Sequence, residues 1–312
     1  MMRVVFMGTP EFAVPTLRAL VENGYDVIGV FTQPDRPVGR GGKVILSPVK
    51  QYAVDQGLNV IQVERIRKSD GLEALRALDP DICVTAAFGQ ILSQENLDVP
   101  RFGTVNVHAS LLPKYRGAAP INWAIIMGEK IAGVTTMLTD AGIDTGDMLL
   151  NDQTEIGENE TAGELTQRLS HMGAALLIET VKRIKAGDCP RQKQDAHLAT
   201  HQPMMTKALG LIDFAKDAQA IANLVRGVNP WPGAYAQLGE GAMKIWSARV
   251  ADGQFTGRNG EIVISDARRG LIVKCGQGAV ELLEIQAPNA KRMQASAYLR
   301  GKPLPVGTVL NG

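Results

Sequence analysis

The first 150 residues alternate between two kinds of segment, and that alternation restricts the chain to one class of fold. RVVFMG (3–8), DVIGVFT (26–32), NVIQV (59–63), DICVTAAFG (81–89), GTVNVHAS (103–110) and GVTTMLTD (133–140) are short and mostly apolar, as strands covered on both faces are. Between them EFAVPTLRALVENG (11–24), SPVKQYAVDQG (47–57), GLEALRAL (71–78) and APINWAIIMG (119–128) place apolar residues at helical spacing, and Gly24 marks a stop. Apolar strands alternating with amphipathic helices give an α/β fold with a mostly parallel sheet between helical layers. Ligands of such sheets bind beyond the carboxyl ends of the strands.

The pattern changes after residue 160. A helix of about 25 residues is expected over 161–187, closed by Gly187. DCPRQKQDAHLATHQPMMTK (188–207) is polar and aperiodic, a linker. DAQAIANLVRGVNPWPGAY (217–235) reads as a helix broken at Pro230. AMKIWSARV, EIVISD, GLIVKCG and AVELLEIQ then read as short strands between glycine turns, the signature of a small β-barrel. The expected boundaries are a catalytic domain over 1–188, a linker over 189–206 and a barrel over 207–312.

Several classes of function are disfavoured. Cys83, Cys189 and Cys275 are odd in number and widely spaced, without a CxxC pair, which argues against a disulfide framework or a zinc site and for a reducing cytoplasm. No apolar run reaches the roughly 18 residues of a membrane helix, and the first apolar run is too short for a signal peptide. GTPEF after the first strand matches neither a dinucleotide nor a nucleoside-triphosphate loop. The formal net charge is +1, but residues 205–312 carry 13 Lys and Arg against 8 Asp and Glu, while 1–204 carry 20 against 24. A basic C-terminal part suits a polyanion, or is an ordinary solvated surface.

Three stretches carry candidate chemistry. In TVNVHAS the period of two puts Asn106, His108 and Ser110 on one face of a strand. Three polar groups there cost several kcal/mol unless paired or functional; they are either a satisfied core histidine with capping neighbours or a site at the strand's carboxyl end. LTDAGIDTGDML (138–149) sets Asp140, Asp144 and Asp147 among glycines. It is either a plain Asp/Gly turn or the source of a carboxylate for His108, which would favour the imidazolium and make an acid–base pair near pH 7. No GxSxG and no reactive-looking cysteine accompanies them, so direct attack of an amine on an acyl donor fits better than a covalent intermediate. DRPVGRGGKVILSPVK (35–50) holds Arg36, Arg40, Lys43 and Lys50 and, from Arg36 onward, no acid. It is either a solvated loop or a basic arm for an anionic partner such as an RNA backbone.

Together NVHASLLPKYRGAAPI, FTQPDRPVGRGGK, DAGIDTGDML and VNPWPGAY resemble the folate-dependent formyltransferases, over nearly the whole chain, and within them the branch that acts on methionyl-tRNA. The marks are Asn106-x-His108, SLLP at 110–113 and Asp144 in a glycine-rich loop; Ala109, where members often carry glycine, is the one small departure. The resemblance implies a Rossmann-like formyltransferase domain with a smaller OB-like barrel. It implies transfer of the formyl group of 10-formyltetrahydrofolate, a co-substrate, to the α-amino group of methionyl initiator tRNA, without a metal. Asn106 and His108 would stabilise the oxyanion, and Asp144 would hold His108. Folate would lie against Phe88, Gly89 and Gln90 and against Ser110, Leu111, Leu112 and Pro113, with Asp140 and its loop closing the other side. Arg36, Arg40 and Lys43 would meet the tRNA. A cytoplasmic monomer is expected. The competing expectation is a sister enzyme that formylates an amino-sugar nucleotide, for which a basic loop at 35–50 has no purpose.

Overall fold

In a computed structural model, which describes residues 1–38 and 43–312, the first unit is built on β1 (Arg3–Gly8). Val4, Val5, Phe6 and Met7 of this strand are fully buried, which demands cover on both faces. The chain continues through α1 (Val14–Glu22), β2 (Asp26–Thr32), α2 (Pro48–Asp55), β3 (Val60–Gln62), α3 (Ser69–Leu78), β4 (Ile82–Ala86), β5 (Thr104–His108), α4 (Pro120–Ile126), β6 (Ile131–Leu138), β7 (Met148–Glu155) and α5 (Ala162–Ala186). Val4 and Phe6 pack with Leu17 and Leu20 of α1, Val49 and Ala53 of α2 and Leu177 and Val181 of α5. Val5 and Met7, pointing the other way, pack with Leu75 of α3, Ile66, Phe88 and Leu97. Each such side chain contributes roughly 1.5–3 kcal/mol by leaving water, so alternate residues of one strand hold the two helical layers.

The sheet order is β7-β6-β5-β4-β1-β2-β3. β1 runs parallel to β2 and β4, β2 to β3 and β4 to β5, while β6 is antiparallel to β5. The order runs outward from β1 in both directions, so β1 and β4 flank the switch point where such sheets open a crevice. Gly8 ends β1 there. A Cβ on it would lie 2.8 Å from the Ala13 Cβ and 2.9 Å from the Ala86 carbonyl oxygen, so the glycine of Gly-Thr-Pro serves close packing. Next to it, the Thr9 hydroxyl donates to the Phe88 carbonyl at 3.2 Å, and the Gln33 amide donates to the same oxygen at 3.2 Å. These bonds knit the ends of β1, β2 and β4.

Two compact units share the chain, and neither is contiguous: one is Met1–Gly117, Ala132–Thr154 and Thr166–His201, the other Ala118–Ile131, Glu155–Leu165 and Gln202–Gly312. In the second unit α4 packs on α6 (Ala218–Gly227). The Asn122 amide donates to the Gly227 carbonyl at 2.8 Å, and a Cβ on Gly227 would lie 2.6 Å from Ile126. α6 starts where Asp217 caps the Ala220 N–H. The strands β8 (Ala234–Leu238), β9 (Gly241–Val250), β10 (Ile262–Asp266), β11 (Gly270–Lys274) and β12 (Ala279–Gln286) form a small barrel-like antiparallel sheet in the order β8-β9-β12-β11-β10. Its core joins Ile221 and Val225 of α6 to Met243, Ile245, Leu271, Val273 and Leu282, and to Leu299 of α7 (Ala295–Gly301).

Two expectations need correction. β5 ends at His108, so Ser110 lies beyond the strand in the following turn. β8 begins in the stretch expected to be a broken helix, because Ala234 and Ala236 pair with Ile245 and Met243 and are buried.

Candidate active site

The site is assembled at the carboxyl end of β5. The pleat puts Asn106 and His108 on one face; Asn106 sits between Thr85 of β4 and Met137 of β6. The Thr85 hydroxyl donates to the Asn106 Oδ1 at 2.9 Å. This fixes the amide flip, so Nδ2 faces Asp144 Oδ1, at 3.4 Å. Asp144 comes from the loop after β6, with a left-handed backbone at φ 52°. Its Oδ2 accepts the Gly117 N–H at 2.8 Å and lies 3.6 Å from His108 Nδ1. The other imidazole nitrogen, Nε2, is 3.0 Å from the Tyr115 carbonyl. A carbonyl can only accept, so Nε2 carries a hydrogen. The His108 and Asp144 side chains are 7% and 17% exposed, dry enough for charge to act strongly.

Glycine spacing shapes the Asp144 loop. A Cβ on Gly146 would sit 1.7 Å from the Leu138 carbonyl oxygen, so the loop folds back on its own strand only with glycine there. Asp140 braces it: its Oδ1 accepts from the Gly142 N–H at 3.1 Å and from the Thr145 hydroxyl at 2.7 Å. Asp147 is turned to Lys193, at 3.7 Å.

The SLLP corner is fixed on β6. The Thr135 hydroxyl donates to the Ser110 carbonyl at 2.7 Å and accepts from the Leu112 N–H at 3.2 Å. The Ser110 hydroxyl donates to the Lys114 carbonyl at 2.7 Å. Leu111 packs against Gly133, where a Cβ would approach it to 2.5 Å. Leu112 is buried with Met137 and Met148, and Leu112–Pro113 is cis. After β4, Phe88 enters the core, and Gly89 turns at φ 78°. The Gln90 amide bridges the Ile66 N–H and the Val63 carbonyl, at 2.6 and 3.0 Å. The Gln90 side chain is thereby engaged within the fold.

The basic segment divides. Arg40 lies outside the described residues, and of Lys43 only the backbone, paired with Val38, is described. Arg36 forms an exposed ion pair with Glu64 at 3.1 Å. Lys50 is turned inward: its ammonium pairs with Asp35 and donates to Gln62 Oε1 at 2.8 Å.

Four contributors are not assigned to the site by the sequence: Tyr115, Arg116 and Gly117 in the turn just after the SLLP corner, and Gln194 in the polar stretch before residue 207. Arg116 is buried, 6% exposed. Its Nε and Nη2 both donate to Gln194 Oε1, at 2.9 and 2.8 Å. The Gln194 amide nitrogen donates to the carbonyls of Asp144 and Gly146, both at 2.8 Å. The backbone of 192–200 is stitched beside the site: Gln192 exchanges hydrogen bonds with Met148, and Thr200 accepts from the N–H groups of Tyr115 and Arg116. The only available signal is the density of Gln, Asp and Thr there, which has no period.

Cys83 is no alternative nucleophile. Burial pushes its thiol up to about 12, and the thiolate is the reactive form. Among the described residues no group of three or more His, Cys, Asp and Glu side chains could hold a metal ion, and no helix is long and apolar enough to cross a membrane.

Comparison with known proteins gives the family. The formyl transferase family matches residues 2–181, and its C-terminal domain matches residues 204–303. The chain is 47% identical to the methionyl-tRNA formyltransferase of Ruminiclostridium cellulolyticum over 99% of both chains. It is 50% identical to that of Citrifermentans bemidjiense over 99% of this chain and 96% of the relative. Among solved structures, an N-formyltransferase from Helicobacter canadensis, in complex with folinic acid and dTDP-3-aminofucose, shares the fold at a TM-score of 0.68 and 22% identity, over 92% of this chain and 99% of that one. The matches over both units and along the full length establish that the chain belongs to the methionyl-tRNA formyltransferases of the formyl transferase family.

Proposed function

We propose that this chain transfers the formyl group of 10-formyltetrahydrofolate to the α-amino group of methionyl initiator tRNA, and that Asn106, His108 and Asp144 carry the step. The observation that supports this most directly is the cluster itself: two hydrogen-bond donors and a carboxylate at one strand end, with no activated thiol or serine beside them among the described residues. The amine nitrogen attacks the formyl carbon, and a tetrahedral intermediate forms with its charge on oxygen. The bond from carbon to N10 of the folate then breaks. The electron pair goes to N10, which gains a proton as the amine loses one.

Asn106 Nδ2 and the imidazole of His108 donate to the oxyanion. Their present acceptors are exchangeable: the bond from Asn106 to Asp144 is long at 3.4 Å, and the Tyr115 carbonyl that faces His108 Nε2 is neutral. Asp144 orients His108 and assists the relay of the amine proton to the leaving nitrogen. Folate lies along Phe88, Gly89 and Gln90, the SLLP corner and the Asp140 loop, with its ring on apolar wall and its specificity from backbone groups. Arg36, with Arg40 and Lys43, meets the tRNA backbone, and the reaction takes place in the cytoplasm, where initiation occurs.

The test is formyl transfer from 10-formyltetrahydrofolate to methionyl initiator tRNA, wild type beside His108→Ala. Removal of one oxyanion donor is expected to cost roughly 10²–10³ in kcat. A wild-type enzyme that leaves the tRNA untouched but formylates an amino-sugar nucleotide would overturn the substrate assignment. A variant that keeps full activity would overturn the site.

A further inference from the structure

Asp144 is gripped at both ends. Its carboxylate takes the Gly117 N–H at 2.8 Å, and its carbonyl takes the Gln194 amide at 2.8 Å. The two grips are joined, because the Arg116 guanidinium, next to Gly117, donates twice to the same Gln194 side chain. The circuit Asp144, Gly117, Arg116, Gln194 closes on itself. Tyr115, whose carbonyl faces His108 Nε2, precedes Arg116 directly. The segment 115–117 therefore touches both His108 and Asp144, and Gln194 ties it to the Asp144 loop. Resting on the formyl-transfer reading, we propose that Gln194 is a positioning residue for the reaction, setting the separation of Asp144 from His108 and Asn106 without touching the reacting atoms.

The chemistry of the position calls for an amide. Two carbonyls need a donor, and the Arg116 fork needs an acceptor on the same side chain. A glutamate would keep the acceptor and gain charge opposite Arg116, yet it would turn an oxygen toward the carbonyls of Asp144 and Gly146. Alanine would remove both halves and leave a buried guanidinium without its acceptor. The backbone of 192–200 is anchored independently through Met148, Tyr115 and Arg116, so either change should loosen the loop and leave the segment in place.

The experiment measures kcat and KM for both substrates in wild type, Gln194→Ala and Gln194→Glu, with thermal melting as a check on folding. Misplacement of a reacting group by about 1 Å costs up to about 10²-fold. The expected result is a fall in kcat of roughly 10- to 100-fold in both variants, with KM for methionyl-tRNA within about twofold of wild type. In an Asp144→Asn background, Gln194→Ala is expected to add little, since its effect passes through Asp144. A residue that merely supports the fold would lower active enzyme equally in both backgrounds. Wild-type kcat in Gln194→Ala, recovery of activity in Gln194→Glu, or full additivity with Asp144→Asn would each overturn the proposal. An inactive wild type would instead remove the reading beneath it.

Discussion

Asp144 holds a backbone conformation that most side chains avoid. At φ 52° it lies in the left-handed region, where Asn and Asp are tolerated and Ala carries a penalty of roughly 1–2 kcal/mol. The position is therefore constrained twice, by charge and by backbone, and two substitutions separate the constraints. Asp144→Asn keeps a short polar side chain that accepts the Gly117 N–H through its carbonyl oxygen, but it removes the charge. It is expected to lose about 10² or more in kcat while melting within a degree or two of wild type. Asp144→Ala should lose similar activity and melt lower as well, by several degrees. Kinetics beside calorimetry on the two variants checks this, and equal melting would mean that the loop does not depend on the conformation of residue 144. The period of the strand shows in the sequence that Asn106 and His108 share one face, whereas the glycine-rich turn does not say which of Asp140, Asp144 and Asp147 meets His108; only the family resemblance singles out Asp144, the one the fold sets beside the imidazole. Gln194 was not legible: an isolated amide acting through contacts 48, 50 and 78 residues away leaves no local pattern.

At the scale of elements, the segment between β2 and α2 shows how a sequence pattern can be read with the wrong geometry. Counted along the chain, Lys50 is a fourth cation of a basic arm. In the fold it is the first-turn residue of α2 whose ammonium reaches back to Asp35 and to Gln62 of β3. Gln62 completes the knot by donating to Asp35 Oδ1 at 3.1 Å and to the Gln33 carbonyl at 2.7 Å. The two ends of the basic stretch are thus fastened to one edge of the sheet. The hydrogen bonds from Lys50 and Gln62 hold the Asp35 carboxyl below the usual carboxylate range. A carboxyl whose folded value is depressed stabilises the native state above its unfolded value, and the contribution fades as pH falls through the folded value. Asp35→Asn should therefore be less stable than wild type at pH 7, and the difference should begin to narrow below about pH 4, where a free aspartate protonates, and close only as pH falls through the lower folded value. Denaturant melts at pH 7, 5 and 3.5 measure it; a gap that persists unchanged at pH 3.5 would show that the pairing is not what Asp35 contributes. Elsewhere the elements were readable where burial dictates residue type: β1 and β4 follow from continuous apolar runs, and the 25 residues of α5 from apolar spacing. α4 was readable as a helix but not as a member of the second unit, because its packing on α6 joins segments a hundred residues apart.

Over the whole molecule the charges nearly cancel, and the formal net charge of +1 gives no strong long-range attraction for a polyanion. What attraction exists depends on where the cations are. The excess lies in residues 205–312, where 13 Lys and Arg face 8 Asp and Glu. Part of that excess is locally compensated. Arg292 forks onto Glu284 at 2.8 and 2.6 Å, Arg249 meets Glu281 at 2.7 Å, and Arg258 meets Glu261 at 3.4 Å. Cations held this way present less free charge to an approaching phosphate than their number suggests. The tRNA contact should then use a modest set of lysines and arginines, and its salt dependence should be moderate. Binding that neutralises phosphates weakens with a slope of about −0.9 in log affinity against log salt for each one. A contact with about four phosphates would lose roughly 10²-fold between 50 and 200 mM salt. The expected outcome is that KM for methionyl-tRNA climbs by about that factor over this range while KM for 10-formyltetrahydrofolate changes far less. Steady-state kinetics at four salt concentrations with each substrate varied in turn decides it. A tRNA KM that is flat in salt would mean that recognition does not run through the phosphate backbone, and the basic C-terminal part would then be ordinary surface.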